Sequence, residues 1–187
     1  MRVIAGTYRG TRLSSPSDMA TRPTSDRVKE SLFSIISSRM ALNGINVLDI
    51  CAGTGSLGIE ALSRGAAAAT FIERDRKIQP TLYKNITAVH CLDRAKIFIY
   101  DALSAVRSLA TRESCYDLIL FDPPYESELY LPVTELLSAL NLLKPDGMLV
   151  MECSSRKQLP PVIGLFVRFD RRVYGDTALE LFSWEKL

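Results

Sequence analysis

This sequence predicts an α/β fold built on a mostly parallel sheet, with helices on both faces and an antiparallel hairpin at its carboxyl end. Three observations carry that reading. After residue 44, apolar strand-like runs alternate with helix-like segments, the pattern of β-α-β units with right-handed crossovers. The first of these strands runs into a glycine-rich turn that opens a helix. The tail carries two strand-like segments separated only by a Gly175-Asp176 turn.

Taken in order, residues 1–21 read as a basic arm, hairpin-like, with turns at Gly6 and Gly10. Residues 22–40 read as a helix that Ser25 or Asp26 can cap. Val28, Leu32, Phe33, Ile35 and Ile36 form its apolar stripe. Strands are expected at 46–51, 69–73, 96–100, 117–122 and 147–153, with helices at 56–64, 76–90, 101–111 and 128–143. Lys144-Pro145-Asp146-Gly147 predicts a turn before the fifth strand. Segments 165–174 and 178–184 complete a seven-stranded sheet. The division is thus an arm, 1–21, and one domain, 22–187.

Hydrophobic residues make up 47% of the 187, enough for a sizeable core and too many for a disordered chain. No apolar stretch approaches a membrane span, and the start lacks the apolar core of a signal peptide. Cys51, Cys91, Cys115 and Cys153 show no metal-ligand spacing, so they read as small core residues of a protein in the reduced, cytoplasmic compartment. A single histidine, His90, argues against a histidine-based triad or metal cluster, and no metal is expected. The net charge is +2, but residues 1–40 alone carry +4. That arm suits an anionic partner; a solvated polar lead-in explains the charge equally well.

Asp122-Pro123-Pro124-Tyr125 follows the apolar run Tyr116–Phe121. The two prolines end the strand, because neither donates a ladder hydrogen bond, and they stiffen the backbone there. Ligands of open α/β sheets bind at that carboxyl edge. Rigid acceptors beside an aromatic ring suit a planar substrate with an NH2 group, such as a nucleobase. Tyr125 could instead be a structural aromatic capping the sheet.

Gly53, Gly55 and Gly58 satisfy G-x-G-x-x-G between a strand and a helix, and Glu73 lies at the end of the second strand, where a carboxylate can accept both hydroxyls of a ribose. An adenosine-type cofactor follows. NAD fits the glycine spacing. Asp49, an acid ahead of the first glycine, favours S-adenosylmethionine, since it can organise the turn and a methionine zwitterion. Asp101-Ala102 could meet the adenine amine, or Asp101 could cap the next helix. Nothing in the chain looks like hydride-transfer machinery. The expected cofactor set is Asp49, Ala52, Gly53, Gly55, Glu73, Arg74, Asp101 and Ala102.

Residues Asp49–Gly58 together with Asp122–Tyr125 resemble the Rossmann-like class I S-adenosylmethionine-dependent methyltransferases that act on exocyclic amines. Adenine-N6 DNA methyltransferases and protein-glutamine methyltransferases share both signatures. The flanks narrow the match. Arg2–Gly10, Thr21–Phe33 and Arg172–Leu179 are similar to segments of the bacterial 16S rRNA guanine-N2-methyltransferase family, RsmD. Cys51 is a mild departure within the glycine motif.

That resemblance implies methyl transfer from S-adenosylmethionine, leaving S-adenosylhomocysteine, to a guanine of 16S ribosomal RNA, naked or within the assembled small subunit. The catalytic residues would be Asp122 and Pro123, whose oxygens accept from the guanine NH2, and Tyr125, which stacks on the base. RNA would be held by Arg2, Arg9, Arg12, Arg22, Arg27, Lys29, Arg171 and Tyr174. For the helix residues among these, a solvated face is the plain alternative. Removing residues 1–20 should weaken RNA binding with little effect on the fold. A monomer is expected. The alternatives are an amine methyltransferase acting on DNA or protein and a non-catalytic RNA-binding assembly factor.

Overall fold

The computed structural model describes residues 1–15, 25–112 and 114–185 of the chain. Five helices, α1 (Asp26–Ser37), α2 (Ser56–Ser63), α3 (Gln79–Ala88), α4 (Ala102–Ala110) and α5 (Tyr130–Ala139), interleave with the strands among these residues. The strands are β1 (Asn46–Ile50), β2 (Ala68–Ile72), β3 (Ala95–Phe98), β4 (Tyr116–Phe121), β5 (Leu143–Ser154), β6 (Val162–Ile163), β7 (Phe166–Tyr174) and β8 (Thr177–Trp184). They form one sheet in the order β3-β2-β1-β4-β5-β8-β7-β6. The first five pair in parallel and the last three antiparallel.

The central strands are buried on both faces, which is why they read as continuous apolar runs. Val47 and Leu118 face a core shared with Leu32, Phe33, Ile59 and Leu82 of α1, α2 and α3. Their neighbours Leu48 and Ile119 face the opposite core, with Val106, Leu109, Val133 and Leu137 of α4 and α5. Ser25 is the cap of α1, accepting from Val28 N at 3.2 Å. Residues 22–24 of the expected helix lie outside the described residues. No described helix is long and apolar enough to cross a membrane.

Two features of the sheet differ from expectation. The sheet has eight strands, because two-residue β6 pairs with β7 across Gly164 (φ +61°). Two residues show no alternation from which a strand could be read. Lys144–Gly147 lies within β5 rather than before it: Leu143 pairs with Tyr116 and Met148 with Leu118, so the turn residues bulge out opposite Asp117. Lys144 Nζ closes the bulge, reaching both Asp117 oxygens at 2.9 Å.

The larger correction concerns the amino terminus. Residues 1–13 do form a tight hairpin, with Val3 N donating to Thr11 O at 3.0 Å and Gly10 N to Val3 O at 2.9 Å. This hairpin is no appendage. Val3 and Leu13 are buried in the core beneath α1 and α2. Ile4 N and Ala5 N donate to the two carboxylate oxygens of Glu60 at 2.7 and 3.0 Å, and Thr7 N donates to Ser63 O at 2.8 Å. Gly6 (φ +83°) permits this approach, since a Cβ there would lie 1.9 Å from Ser63 O. The boundary expected at residue 21 lies outside the described residues.

Lys29 is corrected with it. Its side chain is fully buried and does not face a partner. Its ammonium donates to Arg2 O at 2.6 Å and to Ser56 Oγ at 2.9 Å, and lies 3.9 Å from Glu60 Oε2. Burial lowers its pKa, and the Glu60 charge opposes that shift.

Glu60 thus serves two backbone amides, Arg64 and the buried Lys29. Removing one partner of a buried ion pair leaves the other uncompensated, at a cost of about 3–5 kcal/mol. Glu60→Ala should lower the unfolding free energy by about that amount in urea titration. A loss below about 1 kcal/mol would mean that the hairpin is not fastened through this carboxylate.

Candidate active site

The site begins where β1 stops. Cys51 takes φ +62°, a left-handed conformation costing a non-glycine residue roughly 1–2 kcal/mol. The chain reverses through Gly53 (φ +54°) and Gly55 (φ +81°) into α2, with Ala52 N donating to Ile72 O at 3.0 Å. Gly53 N donates to Glu73 Oε2 at 2.8 Å, and Asp75 N to Glu73 Oε1 at 2.7 Å. Each Glu73 oxygen accepts one amide, and a carboxylate oxygen can take a second donor.

The three glycines of the motif do different work. A side chain at Gly53 would meet nothing within 4 Å, so this backbone faces open space where a ligand can approach. At Gly55 a Cβ would lie 2.5 Å from Leu82 Cδ1, and at Gly58 it would lie 2.4 Å from Phe71 Cε1 and 3.0 Å from Asp49 Oδ2. The missing side chain at Gly55 therefore makes room for Leu82. At Gly58 it makes room first for the Phe71 ring and then for Asp49 Oδ2, which accepts from Gly58 N at 2.8 Å.

Asp49 is buried under the loop, as its sequence position implies. Burial pushes its carboxyl up to about 7; the Gly58 amide pulls it back and the Glu73 charge adds to the rise. Asp101 is exposed and caps α4, accepting from Ser104 N at 2.9 Å, which lowers its pKa. Ala102 is buried behind it, and Arg74 is exposed after β2.

The second loop leaves β4 beside the first. Phe121 pairs with Ile50, and Asp122 N donates to Ile50 O at 3.2 Å. Cys51 reports how close the acids come. Burial first, then the charges of Glu73, Asp122 and Asp49, push its thiol up to about 12. It is no thiolate nucleophile. Beyond Asp122, Pro123 is buried, and the buried Tyr130 hydroxyl lies 3.2 Å from Glu152 O and 3.4 Å from Pro123 O. Tyr125 is half-buried and tethered through its hydroxyl to Thr177 and Glu152.

Of the residues expected to meet RNA, Arg9, Arg12 and Arg27 are exposed. Arg2 is exposed and pairs with Asp26 at 3.2 Å. Arg22 lies outside the described residues. Arg171 is half-buried: its Nε is 2.7 Å from the buried carboxylate of Glu180, which also holds Arg168 at 2.8 Å, and its Nη2 donates to Ser155 O. Tyr174 packs against the core under α1 to α3.

Asn85 is a further polar residue beside the glycine loop, one that no motif marks. It is buried in α3, donates to Thr54 O at 2.9 Å and Ser14 O at 3.0 Å, and accepts from Ser14 N at 2.7 Å, joining the amino-terminal hairpin to the glycine loop. A polar residue on the Leu82-Asn85-Ile86 stripe was its only signal.

The chain matches the sequence profile of the family described as "Conserved hypothetical protein 95" over residues 1–183. It is 35% identical over 183 residues to YlbH of Bacillus subtilis (strain 168), covering 98% of each chain. It is 32% identical over 185 residues to ribosomal RNA small subunit methyltransferase D of Escherichia coli (strain K12), covering 99% of this chain and 90% of that one. The solved structure of yhhF from Escherichia coli matches with a TM-score of 0.86 at 31% identity, over 100% of this chain and 99% of that one. The chain accordingly belongs to the family of ribosomal RNA small subunit methyltransferase D, RsmD, and has its Rossmann-like methyltransferase fold.

Proposed function

We propose that this protein transfers a methyl group from S-adenosylmethionine to the exocyclic N2 amine of a guanine in 16S ribosomal RNA. The observation that carries the reading is the meeting of two loops: Asp122 leaves β4 hydrogen-bonded to the end of β1, beside the glycine turn over Asp49 and Glu73. The name borne by the Escherichia coli relative supplies the substrate class.

The residues present fit the cofactor. The open space over Gly53 admits a ligand against the backbone, and the oxygens of Glu73 can take the ribose hydroxyls. Asp49 offers a buried carboxylate for the methionine ammonium. When bound, S-adenosylmethionine supplies an electrophilic methyl group on a sulfonium.

The guanine 2-amino group is a weak nucleophile because its lone pair is delocalised into the ring. The Asp122 carboxylate and the Pro123 carbonyl accept its two N–H bonds, favour a tetrahedral nitrogen and stabilise the positive charge growing there. Tyr125 stacks on the base and sets its approach, so orientation supplies much of the rate. The proton released from nitrogen passes to Asp122 or to water. A paired base cannot enter such a site, so the target must be unstacked or lie in a loop. Arg9, Arg12 and Arg27 would contact phosphates.

Two outcomes test the reading. Labelled S-adenosylmethionine is offered to small ribosomal subunits lacking the modification and to naked 16S rRNA, followed by nucleoside analysis. N2-methylguanosine at one site is expected; label only in another nucleoside, in DNA or in protein would overturn the substrate. Asp122→Ala should lower kcat by about 100-fold or more while cofactor affinity stays near wild type.

The pH dependence of cofactor binding tests Asp49. Its pKa in the free protein is raised to about 7, so near neutrality it is partly protonated. An ammonium beside it favours the charged form, so binding lowers that pKa and releases a proton. Affinity should rise with pH through about 7 and then flatten, and Asp49→Asn should remove the dependence. Calorimetry in buffers of different ionisation heat reads the proton directly. Proton uptake, or none, would separate Asp49 from the cofactor.

A further inference from the structure

The closing hairpin reaches back to the Asp-Pro-Pro-Tyr loop. Thr177, the first residue of β8, places its Oγ1 2.6 Å from the Tyr125 hydroxyl. That hydroxyl donates to Glu152 Oε1 at 3.3 Å. A phenol has one proton, and when it goes to Glu152 the short contact must be donated by Thr177. The result is a directed chain from Thr177 through Tyr125 to Glu152.

Both ends of that chain are fixed. Glu152 is buried in β5, paired with Leu179, and Thr177 is paired with Ser154. The hairpin tip is tied down by Ser155 N donating to Asp176 O at 2.8 Å, and Arg171 Nη2 donates to Ser155 O at 2.9 Å. On the other side, Lys157 Nζ reaches the carbonyls of Tyr125 at 3.4 Å and Ser127 at 3.2 Å, and lies 4.5 Å over the Tyr130 ring.

We propose that Thr177 and Glu152 are positioning residues that set the angle of the Tyr125 ring for the target base, so that the closing hairpin takes part in substrate recognition. The proposal rests on the reading of Tyr125 as the stacking residue. A tyrosine ring has two side-chain torsions, the second of them broad. The hydroxyl oxygen lies on the axis of that second torsion, so anchoring it fixes the first torsion, while the preference of a phenolic O–H for the ring plane lets its two partners, Glu152 and Thr177, bias the second; the ordering cost then falls on folding rather than on binding. The sheet does not need this contact: the β5–β8 and β7–β8 ladders run through Thr177 by backbone pairing.

A double-mutant cycle on the full-length protein, with the acceptor identified above, tests it. Thr177→Val should lower kcat by about tenfold, with cofactor affinity and melting temperature near wild type. Thr177→Ser, which keeps the hydroxyl, should recover most of the loss. Tyr125→Phe should lose a similar factor, and the Thr177→Val, Tyr125→Phe pair should be no worse than the poorer single variant. Wild-type kcat in Thr177→Val, or losses that multiply in the pair, would overturn the proposal. Methylation of some acceptor other than guanine would instead refute the substrate reading, and the same cycle run on that acceptor would still decide the role of Thr177.

Discussion

The parallel pairing of β1 with β4 governs everything at the site. Ile50 lies opposite Phe121, so the chain leaves both strands at the same height, and Cys51 and Asp122 emerge as neighbours. The strand order β3-β2-β1-β4-β5 makes this junction the point where the topology reverses, because β1 connects outward to β2 while β4 connects outward to β5. In open α/β sheets such a point leaves a crevice between loops that turn opposite ways. The glycine turn goes to one side, under α2. The proline loop goes to the other, toward α5. The site is therefore a consequence of strand order before it is a matter of individual side chains.

Buried carboxylates then hold the loops in place. Asp49 takes the Gly58 amide at the start of α2, and Glu73 takes the amides of Gly53 and Asp75. Glu60 takes the amides of Ile4 and Ala5 and meets Lys29. Glu180 gathers Arg168 and Arg171. A buried charge is tolerable only when donors surround it. Glu60 and Glu73 fasten segments distant in sequence, Asp49 and Glu180 ones nearer by, and together they hold the framework around the crevice. Among them, Asp49 is raised to about 7 because burial outweighs its amide donor. It is one of the two acids here that the cofactor reading employs, Glu73 being the other.

The two signature loops were legible because each sits where an apolar run stops, and abrupt ends are what a sequence displays best. The parallel core was legible for a related reason: a strand buried on both faces, such as Tyr116–Phe121, needs apolar residues throughout. What stayed hidden depends on partners far along the chain. Lys29 looks like a solvated cation until Glu60 and the carbonyl of Arg2 are placed beside it. Spacing could not separate Gly53, which faces open space, from Gly55, which makes room for Leu82. The bulge at Lys144–Gly147 depends on the register against Asp117, which turn chemistry does not encode. The basic hairpin looked detachable because its charges were visible and its buried Val3 and Leu13 were not.

The antiparallel end of the sheet has its own logic. A parallel strand is followed by a crossover, so its carboxyl end is free to carry a loop. β8 runs the other way, and its amino end therefore lies beside the carboxyl end of β5: Thr177 is opposite Ser154. Reversing one strand brings a tight hairpin tip, with Gly175 at φ +62°, to the edge where the functional loops emerge. A crossover helix at that position would lie over the face of the sheet instead. The hairpin thus gives a wall beside the Asp-Pro-Pro-Tyr loop that is held by backbone ladders on both sides. A wall of that kind can hold an aromatic ring at a fixed angle, because the elements that support it cannot move independently of the sheet.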